Sequence, residues 1–193
     1  MVRIILAFML AFGSSGSLAQ TSSLDNAEMS RMFAADQEIR REVSAIMETR
    51  KPDQELLLRM WNEDNARRTR TGELLSTGML TTANDFYHAA FIYQHGSTAE
   101  DYLLAHTLAV AAAARGHDKA PWIAAATLDR YLQEIGQPQI YGTQTSIPEG
   151  QKPSMEPYNR DLIPDSLRTV LGVPVLASQE ARLEERQEKR GGM

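Results

Sequence analysis

The sequence predicts an all-α fold: a single-domain bundle of about five main helices over residues 22–136, followed by an irregular C-terminal arm. Three observations predict it. Apolar side chains recur at three- and four-residue intervals through most of residues 22–136. Ser, Thr or Asp stands where these stretches begin, and Gly where they end. After Gly136, Pro and Gly recur and the periodicity stops. The expected organisation is a signal peptide over 1–19, a helical domain with its covering arm over 20–177, and a charged tail over 178–193.

The leader comes first. "MVR" is positive, "IILAFMLAF" is apolar, and "GSSGSLA" ends in small residues, the three-part layout of a secretory signal with cleavage after Ala19. The apolar run is shorter than the roughly 20 residues that span a bilayer, so no stable membrane insertion is expected after cleavage. The expected location is periplasmic or secreted. The chain has no cysteine, which excludes disulfides, thiol catalysis and cysteine metal sites.

The first helix is read in "SSLDNAEMSRMFAADQEIRREVSAIMETR", with Met29, Met32, Phe33, Val43, Ile46 and Met47 recurring on one side until Pro52. The second, "DQELLLRMWNEDNARRTRTGELLSTG", has its stripe at Leu57, Met60 and Trp61 and its stop at Gly72 or Gly78. The third, "TTANDFYHAAFIYQH", starts on Thr81 or Thr82 and closes at Gly96. In the fourth, Ser97 and Glu100 form an S-x-x-E capping box and Gly116 closes the helix. Alanine and leucine occupy nearly every side between them, which predicts a central helix buried all round. Asp118 is the expected cap of the fifth, with Pro121 in its first turn and Gly136 at its end. Residues 85–116 read like one helix-hairpin repeat, but no second copy follows, which favours a non-repeating bundle. Tyr141, Ile147, Tyr158, Leu162 and Ile163 are the expected apolar anchors of the arm. "DSLRTVLG" reads as a short helix, and "SQEARLEERQEKRGGM" as a tail helix fraying into solvent.

Polar residues break these stripes. Asp36 and Arg40 fall on the line Met29–Phe33–Asp36–Arg40–Val43–Met47. Asp64 and Arg68 fall on Leu57–Met60–Trp61–Asp64–Arg68, with Arg67 beside it, and Asp129 follows Trp122, Ala125 and Ala126. A buried carboxylate needs a partner, and Arg40, Arg67, Arg68 and Arg130 are the candidates. Taken singly, Asp36–Arg40 and Asp64–Arg68 read as surface pairs at a stripe's edge; together with Asp129 they suggest one shared polar cluster. Among the histidines, His88 and His95 lie two helical turns apart with Asp85 nearby. No H-E-x-x-H spacing accompanies them, so packing and end-capping are expected and neither metal nor cofactor. His106 reads as a hydrogen-bonded core histidine and His117 as a turn residue. The net charge of −5 gives no reason to expect nucleic acid. Nucleophile elbows, phosphate loops and dinucleotide fingerprints are absent from the sequence.

"DRYLQEIGQPQIYGTQ", residues 129–144, asks for explanation, because an alanine-rich helix runs into amides and hydroxyls with hardly a charge. Pro138 prevents the helix from continuing and Gly142 allows a tight bend. Gln139, Tyr141, Thr143 and Gln144 can pair with buried carboxylates, recognise a polar ligand, or make a surface turn. The short reach from Asp129 predicts that Gln139, Tyr141 and Gln144 lie against the faces of Asp129, Asp36 or His95, with the Tyr141 hydroxyl on a carboxylate.

Gln94-His95, Asp129-Arg130, and Gln139 with Tyr141-Gly142-Thr143-Gln144 form a pattern that resembles a family of bacterial proteins of unknown function, whose members show QH, DR and QxYGTQ. The likeness extends more loosely to Asp36-Gln37 with Arg40, to Asp64-Asn65 and to "PDSLRTVLGVP". It implies a shared site at these positions and brings no reaction with it. The expected site is therefore Asp36, Arg40, Asp64, Gln94, His95, Asp129, Arg130, Gln139, Tyr141, Thr143 and Gln144. Three readings follow. The first is a binding or interaction module for a small polar ligand or peptide. The second is a hydrolase-like enzyme with His95 as base, oriented by Asp129 or Asp36. The third is a structural network holding the arm on the bundle. The sequence does not set the oligomeric state.

Overall fold

The computed structural model describes residues 24–47, 52–147 and 151–191. The expected leader and its cleavage point lie outside the described residues. The helices are α1 (Ala27–Met47), α2 (Gln54–Ser76), α3 (Ala83–Tyr93), α4 (Ala99–Ala114), α5 (Ala120–Glu134), α6 (Asp165–Val170) and α7 (Leu176–Gly191). The described residues contain no strand; isolated bridges join Gln139 to Tyr158 and Ser146 to Ser154. The fold is the all-α bundle with an arm that the sequence predicts. None of the described helices is long and apolar enough to cross a membrane.

The core forms where α4 packs between α3 and α5, with α1 and α2 against α3. Ala89, Ala90 and Ile92 of α3 meet Ala105, Leu108, Ala109 and Ala112 of α4, with Ile123 of α5 and Met29 of α1. Alanine at these contacts lets the helix axes come close. Burial all round α4 does not hold: Leu103 and Val110 are exposed, because α3 and α5 flank the helix and leave its remaining side to solvent.

Helix starts are set by side-chain oxygens. Asp53 accepts from Leu56 N at 2.8 Å, and Thr82 and Asp85 form a reciprocal capping box. The fully buried Asp85 also accepts from Asn26 N at 2.7 Å, so the cap of α3 fastens the entrance of α1. Two expected caps are displaced. In α4 the cap is Thr98, accepting from Asp101 N, one residue later than Ser97–Glu100. In α5 the cap position is Lys119, with no side-chain cap hydrogen bond, and Asp118 lies outside it.

Two stripes are also corrected. On α2 the buried positions are Leu56, Asp64, Arg67, Thr71 and Leu74, whereas Leu57 and Trp61 are exposed. The packing face is thus rotated, and Arg67 rather than Arg68 lies at its centre. On α1, Ile39 is buried and Met47 exposed. Trp122 of α5 is also partly exposed, at 40%.

The arm is fastened by Pro153, Met155, Tyr158 and Val173; of the expected anchors, Ile147 and Leu162 are exposed. Ser146 and Ser154 exchange backbone hydrogen bonds of 2.8 and 2.9 Å. The tail does not stand free, and the expected boundary at 177/178 falls inside α7. Gln179 is buried with its Oε1 accepting from the Tyr158 hydroxyl at 2.8 Å, and Gln187 Nε2 donates to Pro153 O at 2.7 Å.

Candidate functional site

The expected residues divide between two polar clusters rather than one. The division falls inside the Asp129-Arg130 pair, because successive helix residues point about 100° apart.

The first cluster lies where α1, α2 and the end of α3 meet. Asp64 Oδ2 accepts from Arg40 Nη2 and Asp64 Oδ1 from Arg67 Nη2, both at 2.8 Å. Arg40 also pairs with Asp36 Oδ1 at 3.1 Å, and Arg67 Nε stands 4.0 Å from the same oxygen. Asp36 is 1% exposed, and its Oδ2 accepts from Gln37 Nε2 at 2.8 Å. His95 Nε2 lies 3.7 Å from Asp36 Oδ2 and 3.5 Å from the Gln94 amide. His95 is held there through its backbone carbonyl, which accepts from Arg68 Nη1 at 3.0 Å.

The local field is unequal. Burial raises the Asp64 carboxyl, but hydrogen bonds from Arg40 and Arg67 outweigh it and hold it below the usual carboxylate value. Burial pushes Asp36 up to about 6, against the pull of Arg40. Burial, reinforced by the Arg40 charge, pushes His95 down to about 3. Near neutral pH the pair is a carboxylate facing a neutral imidazole. The side chains of Arg40 and His95 are 21% and 22% exposed, so they form the outward rim over a sealed Asp36.

Arg130, on α5, shares an electrostatic neighbourhood with this rim and with Tyr102. Its charge acts on His95, and the Arg40 charge acts on it in turn. It makes no hydrogen bond or ion pair with the described residues, and its Nε is buried without a partner. Burial lowers its pKa, the sign of a cation short of acceptors.

The second cluster is a knot in the arm. Asp129 is fully buried; Oδ1 accepts from the amides of Ile140 and Tyr141 at 2.8 and 3.0 Å. Oδ2 accepts from the Thr143 amide and hydroxyl at 2.9 and 2.8 Å. The chain is therefore wrapped around one carboxylate, and Gly142 supplies the bend at φ 74°. The buried Gln139 fixes the next loop, accepting from Gln144 N at 3.0 Å and donating to Gln144 O and Met155 O. Gln144 Nε2 donates to Ala126 O at 3.2 Å, which returns the segment to α5.

Several expectations change accordingly. Asp129 does not orient His95, since both its oxygens are occupied by the arm; the carboxylate beside His95 is Asp36. Gln144 does reach α5, through Ala126 O, whereas Gln139 is buried within the arm against Gln144 and Met155. Tyr141 contributes its backbone rather than its hydroxyl: its carbonyl accepts from Arg168 Nη1 at 2.6 Å and Gln179 Nε2 at 2.7 Å. Its hydroxyl makes no hydrogen bond to the described residues, and burial raises its pKa.

Arg168 and Gln179 complete the knot and were not among the expected residues. Arg168 is fully buried, bonded to two backbone carbonyls and placed 5.6 Å from the Tyr158 ring centre. It lies in the "PDSLRTVLGVP" stretch of the looser resemblance, but its residue type and spacing make it look like an ordinary i,i+3 partner of Asp165.

The remaining histidines pack. His88 stacks on Phe33 at 4.2 Å, and His117 on Tyr87 at 3.8 Å. His106 Nδ1 meets Ala124 O at 2.9 Å, tying α4 to α5. No group of three metal-ligating side chains occurs among the described residues. Four surface cavities, of 220 to 960 Å³, have walls formed elsewhere; of the expected residues, only Thr143 borders any of them. Comparison of the chain with models of protein families, with curated proteins and with solved structures finds no match.

Proposed function

We propose that the chain is an exported binding module in which Arg130, Arg40 and His95 take the anionic group of a small polar ligand or peptide. One observation carries this reading: the half-buried Arg130 guanidinium has no acceptor among the described residues. Its buried Nε is a donor withdrawn from water without a partner, which is costly. A carboxylate or phosphate arriving at the rim supplies that partner, with Arg40 adding charge and neutral His95 adding a hydrogen bond. Asp36 and Asp64 hold Arg40 and Arg67 in place from beneath.

The site is poorly matched to catalysis by His95. A base held down to about 3 accepts a proton weakly near neutral pH. If this cluster does move a proton, Asp36, pushed up to about 6, is the better acceptor. The Asp129 knot supports the structural reading for its own residues, since every Asp129 lone pair in use serves the arm. The resemblance to the bacterial QH…DR…QxYGTQ family then joins two roles, an anion rim at Gln94-His95 and Arg130, and an arm fastening at Asp129 and the QxYGTQ turn.

Thermal melts in succinate and in inorganic phosphate test the rim. Millimolar anion should raise Tm for the native protein. Arg130→Gln should melt no lower than the native protein without anion, because it removes an unpaired cation, and should lose the anion shift. An absent shift, or one that survives in Arg130→Gln, rules the reading out. Export is tested separately: N-terminal sequencing of protein expressed in a bacterium should begin at Gln20, and an intact Met1 in the cytosolic fraction would count against it.

A further inference from the structure

A cavity of 220 Å³ lies where the arm, α5 and α7 meet, away from the Arg130 rim. Arg182 and Arg186 form one wall, one helical turn apart on α7. Thr143 and Thr145 border it from the turn that Asp129 fastens, and Trp122 and Leu183 contribute apolar surface. No aspartate or glutamate borders it.

Like charges one turn apart on a helix repel, so the two arginines gain from a shared anion. Their own neighbours form no ion pair with either, although the Arg186 charge also acts on Glu185. Glu180 is paired with Arg160, and Glu185 with Lys189. Arg186 donates to the neutral Thr145 hydroxyl at 3.3 Å. Arg182 makes no hydrogen bond or ion pair with the described residues. The cavity has the volume of about seven molecules of liquid water, small for a peptide and suited to a compact organic acid.

We propose that this cavity binds small organic monoanions, carboxylates bearing an aromatic or branched aliphatic group. The carboxylate sits between Arg182 and Arg186, and the apolar group rests against Trp122 and Leu183. The site shares no residue with the Arg130 rim, so either can stand without the other.

Trp122 is one of only two tryptophans, so Trp61→Phe leaves it as a local reporter. That variant is titrated with phenylacetate and with its neutral amide, phenylacetamide, up to about 10 mM, which spans weak binding. Phenylacetate should give a saturable change in Trp122 emission, with the amide at least about tenfold weaker. Arg182→Gln should weaken phenylacetate about tenfold, Arg182→Lys less, and Arg182→Gln with Arg186→Gln should abolish the response while far-ultraviolet circular dichroism is unchanged. Arg130→Gln should leave it unaltered. The proposal fails if the acid gives no saturable change, if the amide binds equally well, or if the double arginine variant responds like its parent.

Discussion

Replacing Asp129 with asparagine probes the knot by an almost isosteric change. The native carboxylate, itself fully buried, accepts from three backbone amides and one hydroxyl. Asparagine keeps one acceptor oxygen and turns the other into a donor. If the new NH₂ faced Ile140 and Tyr141, two amides would lose their acceptor. Facing Thr143, it orphans only that residue's amide, because the hydroxyl can rotate to accept. The second orientation is therefore selected. Its cost is about 1–3 kcal/mol for the orphaned N–H, plus about 0.5 kcal/mol for each remaining bond that weakens from charged to neutral. Relief from burying a charge offsets part of this. The net expectation is about 2 kcal/mol, and about 4 kcal/mol or more for Asp129→Ala, which leaves every donor unanswered. Urea denaturation followed by circular dichroism measures both, read at constant slope. Tyr141→Phe is the internal control, expected within about 0.5 kcal/mol because its hydroxyl bonds to nothing described. Asp129→Asn melting within about 0.5 kcal/mol of the native protein would refute the wrapped-carboxylate account.

Acid stability separates the two groups of the first cluster. His95 is lowered to about 3 in the fold from 6.5, so its contribution is present above about pH 6.5 and is lost as pH falls toward 3. Asp36 is raised to about 6 from 3.8, so its contribution is full below about pH 3.8 and is lost as pH rises through 6. Between these limits folding moves one proton from histidine to aspartate, and the two slopes cancel. His95→Gln should remove one slope: relative to the variant, the native protein should lose about 1.4 kcal/mol per pH unit from pH 6 down to pH 4. Parallel stability curves over that range would show that His95 is not buried as a neutral ring. Gly142→Ala should cost about 2–4 kcal/mol, since φ is 74° and a Cβ would stand 2.5 Å from Gln179 Oε1 and 2.6 Å from the Tyr158 ring. Gly136→Ala, with φ 72° and open space around the Cβ, should cost only about 1 kcal/mol. Equal melting losses for the two glycine variants would argue against the packed turn.

By itself the sequence determined the helices, their order and most of their ends. These are local properties: periodicity, glycine past a helix and proline against continuation act within a few residues. It also marked Asp36, Asp64 and Asp129 as carboxylates out of place on apolar faces, because a charge on a packing stripe is visible without knowing what packs there. Only the tertiary structure decided which partner each one meets. Asp36 meets Arg40 and His95, Asp64 bridges Arg40 and Arg67, and Asp129 meets no arginine but the backbone of the arm. The rotated face of α2 belongs to this second class: Leu57 and Trp61 satisfy the apolar period, but the neighbouring helices cover Leu56, Asp64 and Arg67. Arg168 and Gln179 join the knot from residues well beyond the turn, and side chains separated by 27 and 38 positions carry no local sign that they share a carbonyl. The physical reason is one of range. Dihedral preference and capping are written in neighbouring residues, whereas the pairing of buried charges is a property of the three-dimensional contact and exists only once the chain has closed.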